Sequence, residues 1–224
     1  MGEPLLHPEY VYLVHEAANS GMFDSIMFIS NAMLLEKGLL LELFSAGLTF
    51  FELSFSGHDA DSYNKHYIGG DFYKAVKNIT AALSIIDSLK LPPRTLRING
   101  IVDSEEERDK TYTFLTSLGF QKEQLHLPLP NNLGGQVESQ IPIMRGGPLF
   151  CHIMATRISV LWDGKITLCG CLDFDGRLVV GDIKNDSFSD IRRGDGYQRI
   201  KEAFRVGDLK GLEMCNDCNI AKPL

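Results

Sequence analysis

The chain has 224 residues, 44% of them hydrophobic and 23% charged, with a formal net charge of −7; that length suits one large domain, or one medium and one small domain. The composition excludes disordered and collagen-like classes, and the acidic balance argues against a nucleic-acid partner, which calls for clustered Lys and Arg. The longest apolar stretch, Gly38 to Leu41, is bounded by Glu36, Lys37 and Glu42, far short of the run of about 18 that spans a bilayer, so no membrane segment is expected. Met1-Gly2-Glu3-Pro4 has none of the marks of a secretory signal, and a cytoplasmic location is the expectation.

In chain order, Pro8 to Gly21 has helical periodicity, Ser25 to Ser30 reads as a buried strand, and Met33 to Ser45 as a helix. Thr49 to Phe55 reads as a strand, and Asp59 to Lys90 carries apolar residues at helical intervals until Pro92-Pro93 stops it. Thr95 to Val102 is a strand, Ser104 to Leu118 a helix with an acidic first turn, and Gln124 to Leu129 a strand. This alternation implies parallel strands with helical crossovers, hence an α/β layer or partial barrel over residues 1–130. Residues 131–150, rich in Gly and Pro and without periodicity, read as a linker.

From residue 151 to 224 the pattern becomes α+β. Arg157 to Trp162 and Lys165 to Leu168 flank Asp163-Gly164, a strong hairpin signal, and Leu178 to Val180 adds a third short strand. A polar amphipathic helix is expected from Ser187, its cap, to about Arg205.

All five cysteines fall in the last third of the chain, an odd number that fits metal ligation or free thiols better than a secreted disulfide framework. Cys151 and Cys169 bracket the hairpin and Cys215-x-x-Cys218 lies near the end, so the intervening helix can fold the tail back and bring all four sulfurs to one centre. Four thiolates complete the coordination of an iron–sulfur cluster or of structural zinc. Spacing does not choose between these, and buried apolar cysteines are the bland third reading.

The pattern Cys151-x12-Gly164-x4-Cys169, Asp173, Gly181-Asp182-Ile183, a helix, then Cys215-x2-Cys218 resembles the SPASM/twitch auxiliary-cluster domains that follow radical S-adenosylmethionine (AdoMet, SAM) barrels. The resemblance implies one auxiliary 4Fe-4S cluster, with Cys151, Cys169, Cys215 and Cys218 matching the shorter twitch form's ligands one for one. The further cysteines of a full SPASM domain are absent from this sequence, and Cys171 has no clear place in the pattern or displaces Cys169.

The first residues resemble the Gly-Gly-Glu-Pro segment after the second radical SAM barrel strand, with Met1 in place of the first glycine. That likeness implies that Gly2 and Glu3 bind the amino group of S-adenosyl-L-methionine in the full-length enzyme. Ser30 and Asn31 fall at the family's third strand end and Ser54 at its fourth, which makes them cofactor-binding candidates, and the stretch Tyr63 to Ile79 resembles the helix that follows. For Ser30 and Ser54 simple strand termination is an equal alternative. The fold class implied is α/β, an incomplete radical SAM-type (β/α) partial barrel followed by a small SPASM/twitch domain with a β-hairpin.

No cysteine precedes Cys151, so the family's C-x3-C-x2-C loop, which holds the AdoMet-cleaving cluster, is missing. The chain alone is expected to be unable to generate the radical. A start within a signature motif points to a fragment, a misplaced start codon or a split gene, and it leaves the Met27 to Ser30 strand as an apolar edge. The resemblance implies radical oxidation or modification of a small-molecule, sugar or peptide substrate, with an electron donor protein as partner. The alternative is a non-catalytic iron–sulfur or zinc-binding module. The six histidines, His126 and His152 included, read as surface or hydrogen-bonded groups, and no catalytic residue is assigned.

Overall fold

The computed structural model describes residues 2–170, 172–173 and 175–224. These form two compact units, residues 1–129 and 130–224.

The first unit holds the strands β1 (Met27–Ser30), β2 (Phe50–Ser54), β3 (Leu96–Asn99) and β4 (Leu125–His126), paired in that order and all parallel. Between them run α1 (Tyr10–Asn19, before β1), α2 (Lys37–Ser45), α3 (Ala60–His66), α4 (Phe72–Ser88) and α5 (Glu105–Ser117). Alternation along the strands separates two faces. Phe51, Leu53, Leu96, Ile98 and Leu125 lie in the buried core with Leu40, Leu43, Ile79 and Ile86 of the helices. Each such fully buried side chain contributes about 1.5–3 kcal/mol. Aromatic rings extend this core beyond β2: Phe55 lies 5.2 Å from Tyr63 and 6.1 Å from Phe72, ring centre to ring centre.

The other sheet face differs. Met27 and Ile29 at the β1 edge are 48% and 46% exposed, Arg97 stacks over the Phe50 ring at 4.6 Å, and buried Glu52 accepts a hydrogen bond from Asn99 Nδ2 at 2.7 Å. The parallel sheet expected from the βα alternation is present, with the chain's own helices packed on one face.

Helix starts follow local chemistry. Asp59 caps α3 through Ser62 N, Asp71 caps α4 through Lys74 N, and Ser104 caps α5 through Glu107 N ahead of three glutamates in the first turn, where acidic groups and cap oxygens satisfy unpaired N–H groups. The periodic stretch Asp59 to Lys90 is two helices rather than one, because the chain breaks between them at Gly69-Gly70 and Asp71 starts afresh.

The second unit contains β5 (Leu149–Phe150), α6 (His152–Thr156), β6 (Ser159–Val160), β7 (Lys165–Thr167), β8 (Val179–Asp182), α7 (Phe188–Arg193), α8 (Asp195–Val206), α9 (Glu213–Asn216) and β9 (Lys222–Pro223). β6, β7 and β8 make an antiparallel sheet, and β5 pairs with β9. The hairpin at Asp163-Gly164 is closed by Leu161 N to Lys165 O (2.8 Å) and Gly164 N to Leu161 O (3.0 Å), with Gly164 at φ +93°, a conformation glycine adopts without penalty. Ser187 and Asp190 form the expected cap, but Gly194 divides the expected single helix into α7 and α8.

Residues 131–150, expected to be a linker, are bonded into the second unit. Asn132 N donates to Asn219 Oδ1 (3.1 Å) and Asn219 N donates back to Asn132 Oδ1 (3.0 Å), while Asn132 Nδ2 reaches Asp217 O (2.5 Å). Gly134 and Gly135 have φ +69° and +84°, and a Cβ on either would stand 2.6 Å from Met214 Cγ or Asp217 Cβ respectively. Single polar side chains and bare backbone hold this stretch, which is why it shows no periodic pattern.

Candidate metal centre and cofactor-binding strand ends

Three segments of the second unit deliver the four thiols. Cys151 is the residue before the first turn of α6, directly after β5. Cys169 follows β7, and its carbonyl accepts from Leu172 N (3.2 Å) and Asp173 N (2.8 Å), which turns the chain back. Cys215 is in α9 and Cys218 just beyond it, tied by Cys218 N to Cys215 O at 3.3 Å. Ile220 N also donates to Cys218 Sγ at 3.4 Å, a contact that favours a negatively charged sulfur.

The four thiols, Cys151, Cys169, Cys215 and Cys218, line one apolar cavity together with Leu168, Leu172, Ile200, Phe204 and Met214. Burial, and then the neighbouring Cys169, Cys218 and Cys151, push the Cys215 thiol up to about 12. The sulfurs therefore feel one another electrostatically. Among the described residues, only His66, Asp103 and Glu107 bring three or more His, Cys, Asp or Glu ligand atoms within 4.8 Å of one another. Thiolates in an apolar pocket are costly without a cationic centre to share their charge, so the donor set fits a thiolate-bound metal centre such as an iron–sulfur cluster.

Asp173 organises the loop beside Cys169. It is 1% exposed and accepts from Thr167 Oγ1 (2.5 Å), Arg177 N (2.6 Å) and Leu178 N (2.8 Å). Cys171, whose ligand role the sequence left open, lies outside the described residues. Arg145 was not among the sequence candidates, yet its guanidinium reaches the backbone of the Cys215–Cys218 turn; no motif announces such a contact.

In the first unit, Glu3, which follows Gly2 in the chain, comes to the end of β1. Glu3 Oε2 accepts from Asn31 N (2.8 Å) and Glu3 Oε1 from Leu5 N (3.1 Å). Ser30 is buried and its Oγ accepts from Ala32 N (3.2 Å), while Asn31 Oδ1 accepts from Met33 N (2.9 Å). Ala32 holds φ +64°, and Asn78 Nδ2 of α4 donates to its carbonyl at 2.6 Å. Such strain in a non-glycine residue at a strand end is characteristic of binding loops. Ser54 ends the neighbouring β2, one residue past Leu53, the register partner of Ser30. Glu3, Ser30, Asn31 and Ser54 thus belong to the C-terminal ends of two adjacent parallel strands, where α/β sheets bind ligands.

Residues 151–219 match the SPASM family, described as an iron-sulfur cluster-binding domain. The fold is similar over 97% of this chain to BtrN in complex with AdoMet and 2-DOIA, at 18% identity and TM-score 0.58, covering 69% of that chain. It is similar to anSMEcpe with bound AdoMet and the Kp18Cys peptide, at 14% identity and TM-score 0.64 over 97% of this chain and 73% of that one. Streptococcus suis SuiB bound to S-adenosylmethionine matches at 12% identity and TM-score 0.61, over 97% of this chain and 59% of SuiB. No curated protein sequence matches the chain. The fold is therefore that of the radical AdoMet enzymes, here a four-stranded parallel α/β layer. Residues 151–219 are thus matched as a SPASM iron–sulfur cluster-binding domain, and the chain shares its fold with these AdoMet-bound proteins.

Proposed function

We propose that this chain is the AdoMet-binding and auxiliary-cluster portion of a radical AdoMet enzyme that modifies or oxidises a small molecule, sugar or peptide. Cys151, Cys169, Cys215 and Cys218 would hold one auxiliary 4Fe-4S cluster in the manner of a twitch domain. The observation that carries the reading is the convergence of these four thiols on a single apolar cavity. When bound, the cluster supplies a one-electron acceptor or a site that positions substrate. The protein's part is to gather the four sulfurs in a dry cavity, with Ile220 N–H aimed at Cys218 Sγ.

Gly2, Glu3, Ser30, Asn31 and Ser54 are the residues proposed to bind AdoMet. Glu3, placed against Asn31 N, has lone pairs left to accept from an ammonium group. On the sheet face away from the helices, Arg97, Asn99 and Glu52 lie among the apolar Met27, Ile29 and Phe50, a mixed surface that suits a substrate carrying hydroxyl or charged groups. BtrN and anSMEcpe, solved with 2-DOIA and with a peptide, support the substrate classes without choosing between them. An electron donor protein and a cytoplasmic setting belong to the same proposal; no helix among the described residues is long and apolar enough to cross a membrane.

Residues 1–150 contain no cysteine, so the AdoMet-cleaving cluster is not held by them. That absence favours a second reading, a non-catalytic metal module. Anaerobic purification followed by iron, sulfide and zinc analysis separates the two. About four iron and four sulfide per chain, lost together in Cys151→Ala, support the cluster reading; zinc with no sulfide would refute it and leave the structural module.

A further inference from the structure

Beside Asn132, which bonds Asp217 O and Asn219 N, one side chain holds four carbonyls of the turn from Cys215 to Ala221. Arg145 Nη2 donates to the carbonyls of Cys215 (2.9 Å), Asn216 (2.5 Å) and Cys218 (2.8 Å), and Nη1 donates to Ala221 O (3.4 Å) and Met144 O (2.7 Å). Two of these acceptors belong to the proposed ligand residues themselves. The last carbonyls of a helix as short as α9 have no intrahelical partner, and the planar five-donor guanidinium satisfies several at once, as a lysine ammonium does not.

We propose that Arg145 is a positioning residue for the auxiliary cluster: its fork fixes the Cys215–Cys218 turn in the ligating conformation, and its charge favours the reduced cluster. This rests on the cluster reading given under Proposed function. Reduction adds negative charge to a centre already surrounded by thiolates, so a cation hydrogen-bonded to the ligands' own peptide groups stabilises the reduced form. Asp173, buried near Cys215, and Asp217, between the two cysteines, act in the opposite sense, and Arg145 offsets them. The clamp also spans Ile220, whose N–H points at Cys218 Sγ, so loosening the turn weakens a second contact that stabilises charge on the sulfur.

The test compares the cluster-loaded full chain with Arg145→Gln and Arg145→Lys, by potentiometric titration followed by electron paramagnetic resonance and by the rate of iron loss to a chelator. Arg145→Gln is expected to lower the reduced-to-oxidised ratio at fixed potential about tenfold, which is about 59 mV for one electron, and to speed iron loss. Arg145→Lys is expected to recover most of the potential while iron loss remains fast, a split that a purely structural role does not produce. If Arg145→Gln holds no cluster, Arg145→Lys carries the test alone: iron loss at the wild-type rate overturns the clamp. A wild-type potential in Arg145→Gln, or in Arg145→Lys a drop of about 59 mV despite the retained charge, overturns the electrostatic role. A wild-type chain containing zinc and no sulfide overturns the underlying reading instead, and the potential claim with it.

Discussion

The two units build their candidate sites in different ways. In the first unit the hydrophobic core, from Leu5 to Leu127, is complete without any proposed cofactor-binding side chain: Ser30 and Glu3 are attached to it through backbone hydrogen bonds at strand ends. In the second unit the proposed ligands are part of the core, since Cys151 and Cys218 are buried members of the same cluster as Leu149, Ile200 and Phe204, with Cys169 and Cys215 packed against it. The first scaffold therefore precedes its site; the second is inseparable from it. A small domain with a modest core commonly depends on its metal in this way.

The largest effect that would break this contrast is loss of a ligand. Replacing Cys151 or Cys218 by Ser should remove the cluster and lower the urea midpoint and amide-exchange protection of residues 130–224, while amide exchange in β2 and β3 stays slow. Equal loss of protection in both units would show that their stabilities are not separate. The reverse experiment is Ile98→Ala, which opens a cavity under a fully buried strand residue and should cost the first unit about 2–5 kcal/mol in denaturant titration, with iron content per chain unchanged.

A smaller effect sharpens the assignment of residues 131–150. Asn132→Ala removes the reciprocal pair with Asn219 and leaves buried backbone N–H of Asn219 without its acceptor, at about 1–3 kcal/mol. The loss should appear in the second unit's melting and leave the first unit's unchanged.

Alkaline pH distinguishes the units too. Burial, reinforced by the other sulfurs, lifts Cys215 from 9.0 to about 12, and burial with Tyr67 and Asp71 lifts Tyr63 from 10.0 to about 12. In each case the unfolded chain releases its proton first, so stability present below the unfolded pKa declines as pH rises toward the folded one. The metal-free second unit should begin to weaken near pH 9 and the first near pH 10. Cys215→Ser and Tyr63→Phe should abolish the respective declines in urea titrations, and cluster loading should abolish the first, because a ligating thiol has already lost its proton. Smallest of all, Asp59→Ala removes the α3 cap and should cost about 1 kcal/mol in the first unit only.

Much of this architecture was legible in the sequence because it rests on repeated, local signals. The strands β1 to β4 and the helices between them carry continuous apolar runs or 3.6-residue spacing, and the Asp163-Gly164 hairpin needs a residue tolerant of positive φ where glycine stands. The four cysteines were legible because thiols are few and their roles are narrow. Other features were not. Gly69-Gly70 and Gly194 break helices whose apolar spacing continues across the break, so periodicity alone runs two elements together. Asn132 and Arg145 act through several long-range hydrogen bonds to the Cys215–Ala221 turn, more than 60 positions away in the chain, where no local pattern records them.

The pairing of β5 with β9 has a practical corollary. Phe150 is opposite Lys222, and Asn132, near the start of the second unit, exchanges hydrogen bonds with Asn219, so the first and last parts of residues 130–224 lie side by side. A segment with such adjacent ends resembles a cassette. It is a natural candidate for transplantation into a surface loop of an unrelated host, or for rejoining head to tail, with little rearrangement of its interior.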